Sequence, residues 1–180
     1  ADAHAVLVLG TASSVVKVVS SVISGNTATF GRGGGVYLRG DGHFAFVGDT
    51  ISADSAAQSG GGIATDDRVA AVAIAGSRIT GNSSGTYGGG LYTTGNHLVT
   101  ISGTRVTANR ATRNGGGIEL GGNASVKLTA SAVDDNTTGG VGGGIMASNA
   151  DTLTVVGGEI ARNASGSDGG GIRTFGTDVV

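Results

Sequence analysis

Cysteine and proline are absent from this 180-residue chain, and lysine occurs only at Lys17 and Lys127. Without cysteine there is no disulfide framework and no thiol chemistry, whichever redox compartment the protein occupies. Charged side chains make up 13% of the residues, about half of the usual ~25%. The net charge is −2 and no basic run occurs, which argues against nucleic acid or an anionic membrane surface as a partner. No apolar run approaches the ~20 residues of a spanning helix, so no transmembrane segment is expected. Residues 5–9 are too short for the apolar region of a signal peptide and lack its basic flank. Any export signal is expected outside these residues.

Glycine is abundant, with 37 residues, and it falls on a repeat. Triplets of glycine start at Gly33, Gly60, Gly88, Gly115, Gly142 and Gly169, at separations of 27, 28, 27, 27 and 27 residues. Each triplet is followed by one aliphatic residue: Val36, Ile63, Leu91, Ile118, Ile145 and Ile172. A second column keeps step: Asn26, Asp54, Asn82, Asn109, Asn136 and Asn163, six residues ahead of each triplet and seven in the first case. A fixed period in the twenties marks a stacked-repeat protein rather than a globular core.

Laid in register, the coils show three further apolar columns. One runs Val16, Phe44, Val72, Val99, Val126, Leu153, Val180; a second, two residues on, runs Val18, Phe46, Ile74, Ile101, Leu128, Val155. The last is Ile23, Ile51, Ile79, Val106, Val133, Ile160. Separation by two is strand alternation, and no helical period occurs. One coil cannot bury its own apolar residues, whereas stacked coils set like on like at ~4.8 Å. The expectation is an all-β, right-handed parallel β-helix of six to seven coils, about 27 residues and three short strands per coil. Residues 1–180 are expected to form a single array, open at both ends and part of a longer chain or assembly. The glycines supply positive φ at a corner. The Asn column predicts a ladder of stacked amides, with Asn itself tolerating a left-handed corner and small residues such as Ala28 and Ala111 filling the tight turn after it. Two extra residues break the period, one in Phe30-Gly31-Arg32 and one in Asp66-Asp67-Arg68.

The stretches Ile23-Ser24-Gly25-Asn26 through Gly33-Gly34-Gly35-Val36-Tyr37 and Ile79-Thr80-Gly81-Asn82 through Gly88-Gly89-Gly90-Leu91-Tyr92 resemble the polymorphic outer-membrane-protein repeat of autotransporter passengers. That family pairs a short motif ending in Asn with a downstream Gly-Gly-Ala/Gly-aliphatic motif, and the likeness covers nearly all of residues 16–180. It implies a secreted or surface-displayed passenger that acts in adhesion. The chain departs from it in carrying Ile or Val three residues before the Asn, where the family has Phe, and in Asp54. Motifs of this kind specify fold better than activity.

Parallel β-helices also resemble pectate lyases and polygalacturonases, whose carboxylates sit on outward strand and loop positions. The candidate acids are Asp41, Asp66-Asp67 and Asp134-Asp135. The two pairs lie at different corners three coils apart, and glycosidase carboxylates must converge within roughly 5–9.5 Å, so no catalytic residue is assigned. His4, His43 and His97 fall on different coils and predict no metal site. Gly40-Asp41-Gly42-His43-Phe44-Ala45 matches a dinucleotide fingerprint by letters, but no helix follows. The calcium nonapeptide of other β-rolls is missing, and no cofactor is expected. Sequons start at Asn82, Asn123, Asn136 and Asn163, of which only Asn123 lies outside the ladder. The outward threonines form no unbroken rank of the kind an ice-binding face needs.

Two features remain as candidate contacts. Tyr37 and Tyr92 point outward two coils apart and could stack on sugar rings. Val19, Ala45, Val47, Ala73 and Ala75 form an outward apolar patch on adjacent coils, a candidate lateral contact. The reading is a non-catalytic extracellular or cell-surface β-helix, a rigid stalk or adhesin-like passenger. A carbohydrate-binding or carbohydrate-active β-helix and a subunit of an extracellular fibre are the alternatives. Expected partners are neighbouring repeats, copies of itself, surface glycans or host-cell molecules. Convergence of acids and aromatics in one groove is what would separate the alternatives.

Overall fold

A computed structural model describes residues 6–179 except 13, 96, 123, 151 and 177. His4, Asn123 and Val180 therefore lie outside the described residues. The chain is a parallel β-solenoid of about six turns, with no helix among the described residues. Three sheets run along it. The first contains seven strands, from Val6–Gly10 to Ile172–Phe175, each the strand that follows a glycine triplet or its equivalent. The second contains eleven and combines the strands of the paired columns with those just before the Asn. These two ranks merge where the fifth and sixth coils run through the corner as single ten-residue strands, Ser125–Asp134 and Thr152–Ala161. The third sheet has six two-residue strands, from Thr27–Ala28 to Ala164–Ser165. The expected three strand positions are present. The small residues after the Asn, expected only to fill a corner, pair as this third sheet.

Like residues stack on like: Phe44 pairs with Val72, Val72 with Val99, Val99 with Val126 and Val126 with Leu153. All four apolar columns are buried through the middle coils, and each fully buried aliphatic side chain contributes about 1.5–3 kcal/mol. A fifth inward column was not read from the sequence: Leu38, Thr65, Thr93, Leu120 and Ala147, all at 0% exposure. Two threonines and an alanine break its apolar character, which hid it.

The triplet Gly88-Gly89-Gly90 shows why three glycines recur. Gly88 turns the chain at φ 59°. The other two are needed for close approach: a Cβ on Gly89 would run into the Gly116 carbonyl of the next coil, and one on Gly90 would lie 2.9 Å from Gly117 O and 3.0 Å from Asn109 Nδ2.

That amide belongs to the expected ladder. Asn109 Nδ2 donates to Asn136 Oδ1 at 3.0 Å and to Ile79 O at 2.9 Å. Its Oδ1 receives Asn82 N and Asn82 Nδ2, both at 3.0 Å. Asn82 and Asn136 repeat the pattern, and Asn163 closes it with Nδ2 on Val133 O at 2.7 Å. Asn is not the left-handed residue. The residue before it takes that role: Gly25, Ala53, Gly81, Ala108, Asp135 and Arg162 all have φ between 53° and 69°. This leaves the Asn backbone free to donate to the next rung.

A second ladder lies at the corner between the two ranks of the second sheet. Ser21 N donates to Asp49 Oδ1 at 2.7 Å, Asp49 N to Ser77 Oγ at 3.1 Å, Ser77 N to Thr104 Oγ1 at 3.2 Å, and Thr104 N to Ser131 Oγ at 3.2 Å. Each hydroxyl donates back to a carbonyl two residues earlier, as Ser77 does to Ala75 O at 3.0 Å. Here too the preceding residue is left-handed, at Ser20, Gly48, Gly76, Gly103 and Ala130. The column ends at Gly158, the register partner of Ser131.

Candidate functional site

The outward column of the first sheet reads Tyr37, Ala64, Tyr92, Glu119, Met146, Arg173 in register. Ala64 is the smallest of these, and it stands between the two tyrosines. Parallel neighbours are ~4.8 Å apart, so the tyrosine backbones are separated by roughly twice that distance over an alanine floor. Both period breaks open here. The first extra residue brings in Arg32, and the second pushes out Asp66, Asp67 and Arg68. With Arg39 and Thr94 from strand ends, these side chains and the two tyrosines line a groove of about 370 Å³, within the ~300–1,000 Å³ of small-ligand sites.

The groove walls are polar and mutually braced. The Arg39 guanidinium lies 3.5 Å from Asp66 Oδ2 and 5.9 Å from the Tyr37 ring centre. Asp66 Oδ1 accepts Arg68 N at 3.1 Å, so the loop holds its own acid. Arg32 sits 5.4 Å over the Tyr92 ring, and Tyr87 stacks on Tyr92 with centroids 6.3 Å apart and planes at 20°. A ligand would therefore meet phenol and guanidinium together. Three arginines against two aspartates give the lining a net charge of +1, in a chain of net −2.

Two buried titratable groups lie beside this lining. His97 is 3% exposed, and neither ring nitrogen has a hydrogen-bond partner. Burial pulls its pKa below 6.5, against the opposing field of Asp66. Glu119, next to Tyr92 in the outward column, is 6% exposed with Oε2 unpartnered. Burial pushes its pKa up to about 8.

The remaining candidates scatter. Asp134 and Asp135 are held by Arg162, at 2.9 and 3.0 Å, well away from the groove-lining acids. Asp41 and His43 are exposed, and Gly40 to Ala45 joins two strands. Among the described residues no three His, Asp or Glu side chains gather as a ligand set. Val19 and Val47 are exposed at 50% and 37% on adjacent strands of the second sheet, with Ala45, Ala73 and Ala75 beside them. Val15, Val22 and Leu98 of the same sheet are exposed as well.

Of the groove, the sequence had pointed to Tyr37, Tyr92, Asp66 and Asp67 but had not brought them together. It missed Arg32, Arg39, Arg68 and Thr94. The signal was available in the two extra residues, which interrupt an otherwise constant period on the same side of the coil.

The right-handed β-helix region family matches residues 4–179. The chain belongs to that family. The parallel stacking of the coils in three sheets agrees with it. No curated protein and no solved structure matches the chain.

Proposed function

We propose that this β-helix is a non-catalytic, surface-displayed binding rod of the adhesin-like kind, and that it holds carbohydrate in the Tyr37–Tyr92 groove. The observation that carries this reading is the convergence of both period breaks and both tyrosines on one groove. A repeat that is otherwise uniform departs from its pattern at the places that supply the lining. Phenol rings offer apolar faces to sugar C–H groups, while guanidinium and carboxylate groups exchange hydrogen bonds with hydroxyls. The resemblance to surface-displayed passengers adds support for an extracellular or cell-surface location.

Glycan-array screening followed by calorimetry tests the proposal. Replacing Tyr37 and Tyr92 together with Ala is expected to weaken binding by about 5- to 100-fold, on ~0.5–1.5 kcal/mol per aromatic contact. Arg68→Ala, a change on an exposed loop, should weaken it with the fold unchanged by circular dichroism. An array with no binding, or binding indifferent to all three changes, would overturn the groove as a sugar site.

A further inference from the structure

Asp54 is the one acid in the Asn ladder, and its geometry identifies which atom replaces the amide. Asp54 Oδ1 receives Asn26 N and Asn26 Nδ2, both at 2.8 Å, as the Oδ1 atoms of Asn109, Asn136 and Asn163 receive the same pair from the rung before. Oδ2 occupies the amide position. It lies 2.7 Å from a Cβ built on Gly35, as Asn82 Nδ2 lies 3.0 Å from one on Gly62 and Asn109 Nδ2 3.0 Å from one on Gly90. In those coils the nitrogen donates to the next rung's Oδ1 and to the carbonyl of the preceding coil: Ile51 O for Asn82, Ile79 O for Asn109. By register, the equivalent positions around Asp54 are those of Asn82 Oδ1, which accepts Asp54 N, and Ile23 O, the partner of Ile51, and both are acceptors.

Asn82 cannot turn its amide to help. Its Nδ2 is committed to Asn109 Oδ1 at 3.0 Å and Ile51 O at 3.1 Å, and its Oδ1 already receives Asp54 N at 3.0 Å. Asp54 is 1% exposed and Oδ2 has no partner. Oδ2 is thus buried without a hydrogen-bond partner at the place where the other rungs carry an amide donor. The groups around the carboxyl, Asn26, Ser52, Asn82 and Gly35, do not ionise. The nearest carboxyl along the chain, Asp49, sits in the other ladder at the far end of the strand Thr50–Ser52.

We propose that Asp54 enters the ladder as a neutral carboxylic acid at neutral pH, with its proton on Oδ2 and donated to Asn82 Oδ1 or Ile23 O. The solenoid thereby carries one proton-dependent rung among amide rungs, between its first and third coils. Burial acts in the same direction, raising the carboxyl above its ordinary 3.8, while the Asn26 and Ser52 groups oppose it more weakly. For a raised acid, the folded state keeps a proton that the unfolded chain gives up. This contribution is complete below 3.8 and is lost as pH rises through the folded value.

Infrared difference spectroscopy of the parent against Asp54→Asn at neutral pH tests this directly. One carboxylic-acid C=O band of the parent is expected to be missing from the variant, while the band of Glu119 is common to both and cancels in the difference. Refolding in weak buffer should take up about one proton fewer in the variant than in the parent. Thermal midpoints of parent and variant should lie closest in acid and separate as pH rises, because Asn donates at every pH. Glu119→Gln serves as control, because Glu119, raised to about 8, contributes an acid band of its own; a parent-minus-Asp54→Asn difference spectrum that shows no acid band overturns the proposal. So does a midpoint gap that stays constant from acid to neutral.

Discussion

Removing one amide from the middle of the ladder should weaken the whole stack at a single level. In Asn109→Ala four side-chain hydrogen bonds disappear: two received from Asn82 and two given to Ile79 O and Asn136 Oδ1. The acceptors suffer less, because Asn136 Oδ1 keeps Asn109 N at 2.9 Å. The donors suffer more. Asn82 N–H and one Asn82 Nδ2 hydrogen are left buried and unpaired, at ~1–3 kcal/mol each. Asn109 is 0% exposed, so water reaches them only through the void the substitution leaves. The expected loss is about 2–4 kcal/mol, the lower part of that sum, since such a void admits some solvent. In a stack each coil touches only its neighbours, so the damage should localise between the third and fourth coils and can split unfolding into two steps. Chemical denaturation followed by circular dichroism reads the total, and amide hydrogen exchange at Asn82 reads the location. A parent-like midpoint with Asn82 N–H still protected would refute the claim that these amides hold the coils together.

Glu119 predicts a second pH dependence, at a different place. With its pKa raised from 4.5 to about 8 by burial, the folded state retains a proton that the unfolded chain loses. Parent stability should therefore decline between about 4.5 and about 8, and Glu119→Gln should remove that decline when midpoints are measured across the range. The apolar outer face of the second sheet carries the lateral-contact expectation. Val47→Lys combined with Ala73→Lys should lower the weight-average mass at concentrations where the parent associates, read by sedimentation equilibrium. An associating parent whose double variant sediments identically rejects this face as the contact.

How far the sequence could be read depended on whether a position repeats. The four apolar columns and the Asn ladder were legible because each position is filled by the same chemistry in every coil, so register alone aligned them. The second ladder uses Ser, Asp, Ser, Thr and Ser at Ser21, Asp49, Ser77, Thr104 and Ser131, residues equally at home in an exposed turn. Its common property is one oxygen at a fixed distance from the next backbone N–H, which composition does not display. The left-handed residue was placed on Asn because Asn tolerates that conformation. The structure uses Ala53 and Ala108 instead, at 55° in both cases, where a Cβ costs roughly 1–2 kcal/mol. That strain is tolerated because the ladder bonds on either side fix the corner. Groove residues such as Arg32 and Arg68 were marked only by the two breaks in period, and their identity had no repeat behind it. They occur in one coil each, and a single arginine in a loop has no pattern to belong to.

A strictly periodic solenoid presents the same surface at every level, so it offers no unique site however stable it is. Position-specific recognition therefore requires departures from the repeat, and those departures must avoid the ladders. The two extra residues meet both conditions. They lie in the corner before the first triplet and in the loop after the strand Ile63–Thr65, where the chain leaves the core. The inward residues on either side keep their register, Val36 with Ile63 and Phe44 with Val72. The two carboxylates that do enter the ladders, Asp49 and Asp54, leave the lengths of their corners unchanged and alter only which atoms carry hydrogen. Insertion changes the surface while leaving the stack intact, and substitution within a ladder changes the stack while leaving the surface intact. The second coil carries both kinds of departure: Asp66, Asp67 and Arg68 on its outside, Asp49 and Asp54 within. Binding in the groove and proton occupancy of the ladder are thus separate properties of the same coil. Substituting Asp54 should move stability with pH and leave the affinity of the groove where it was.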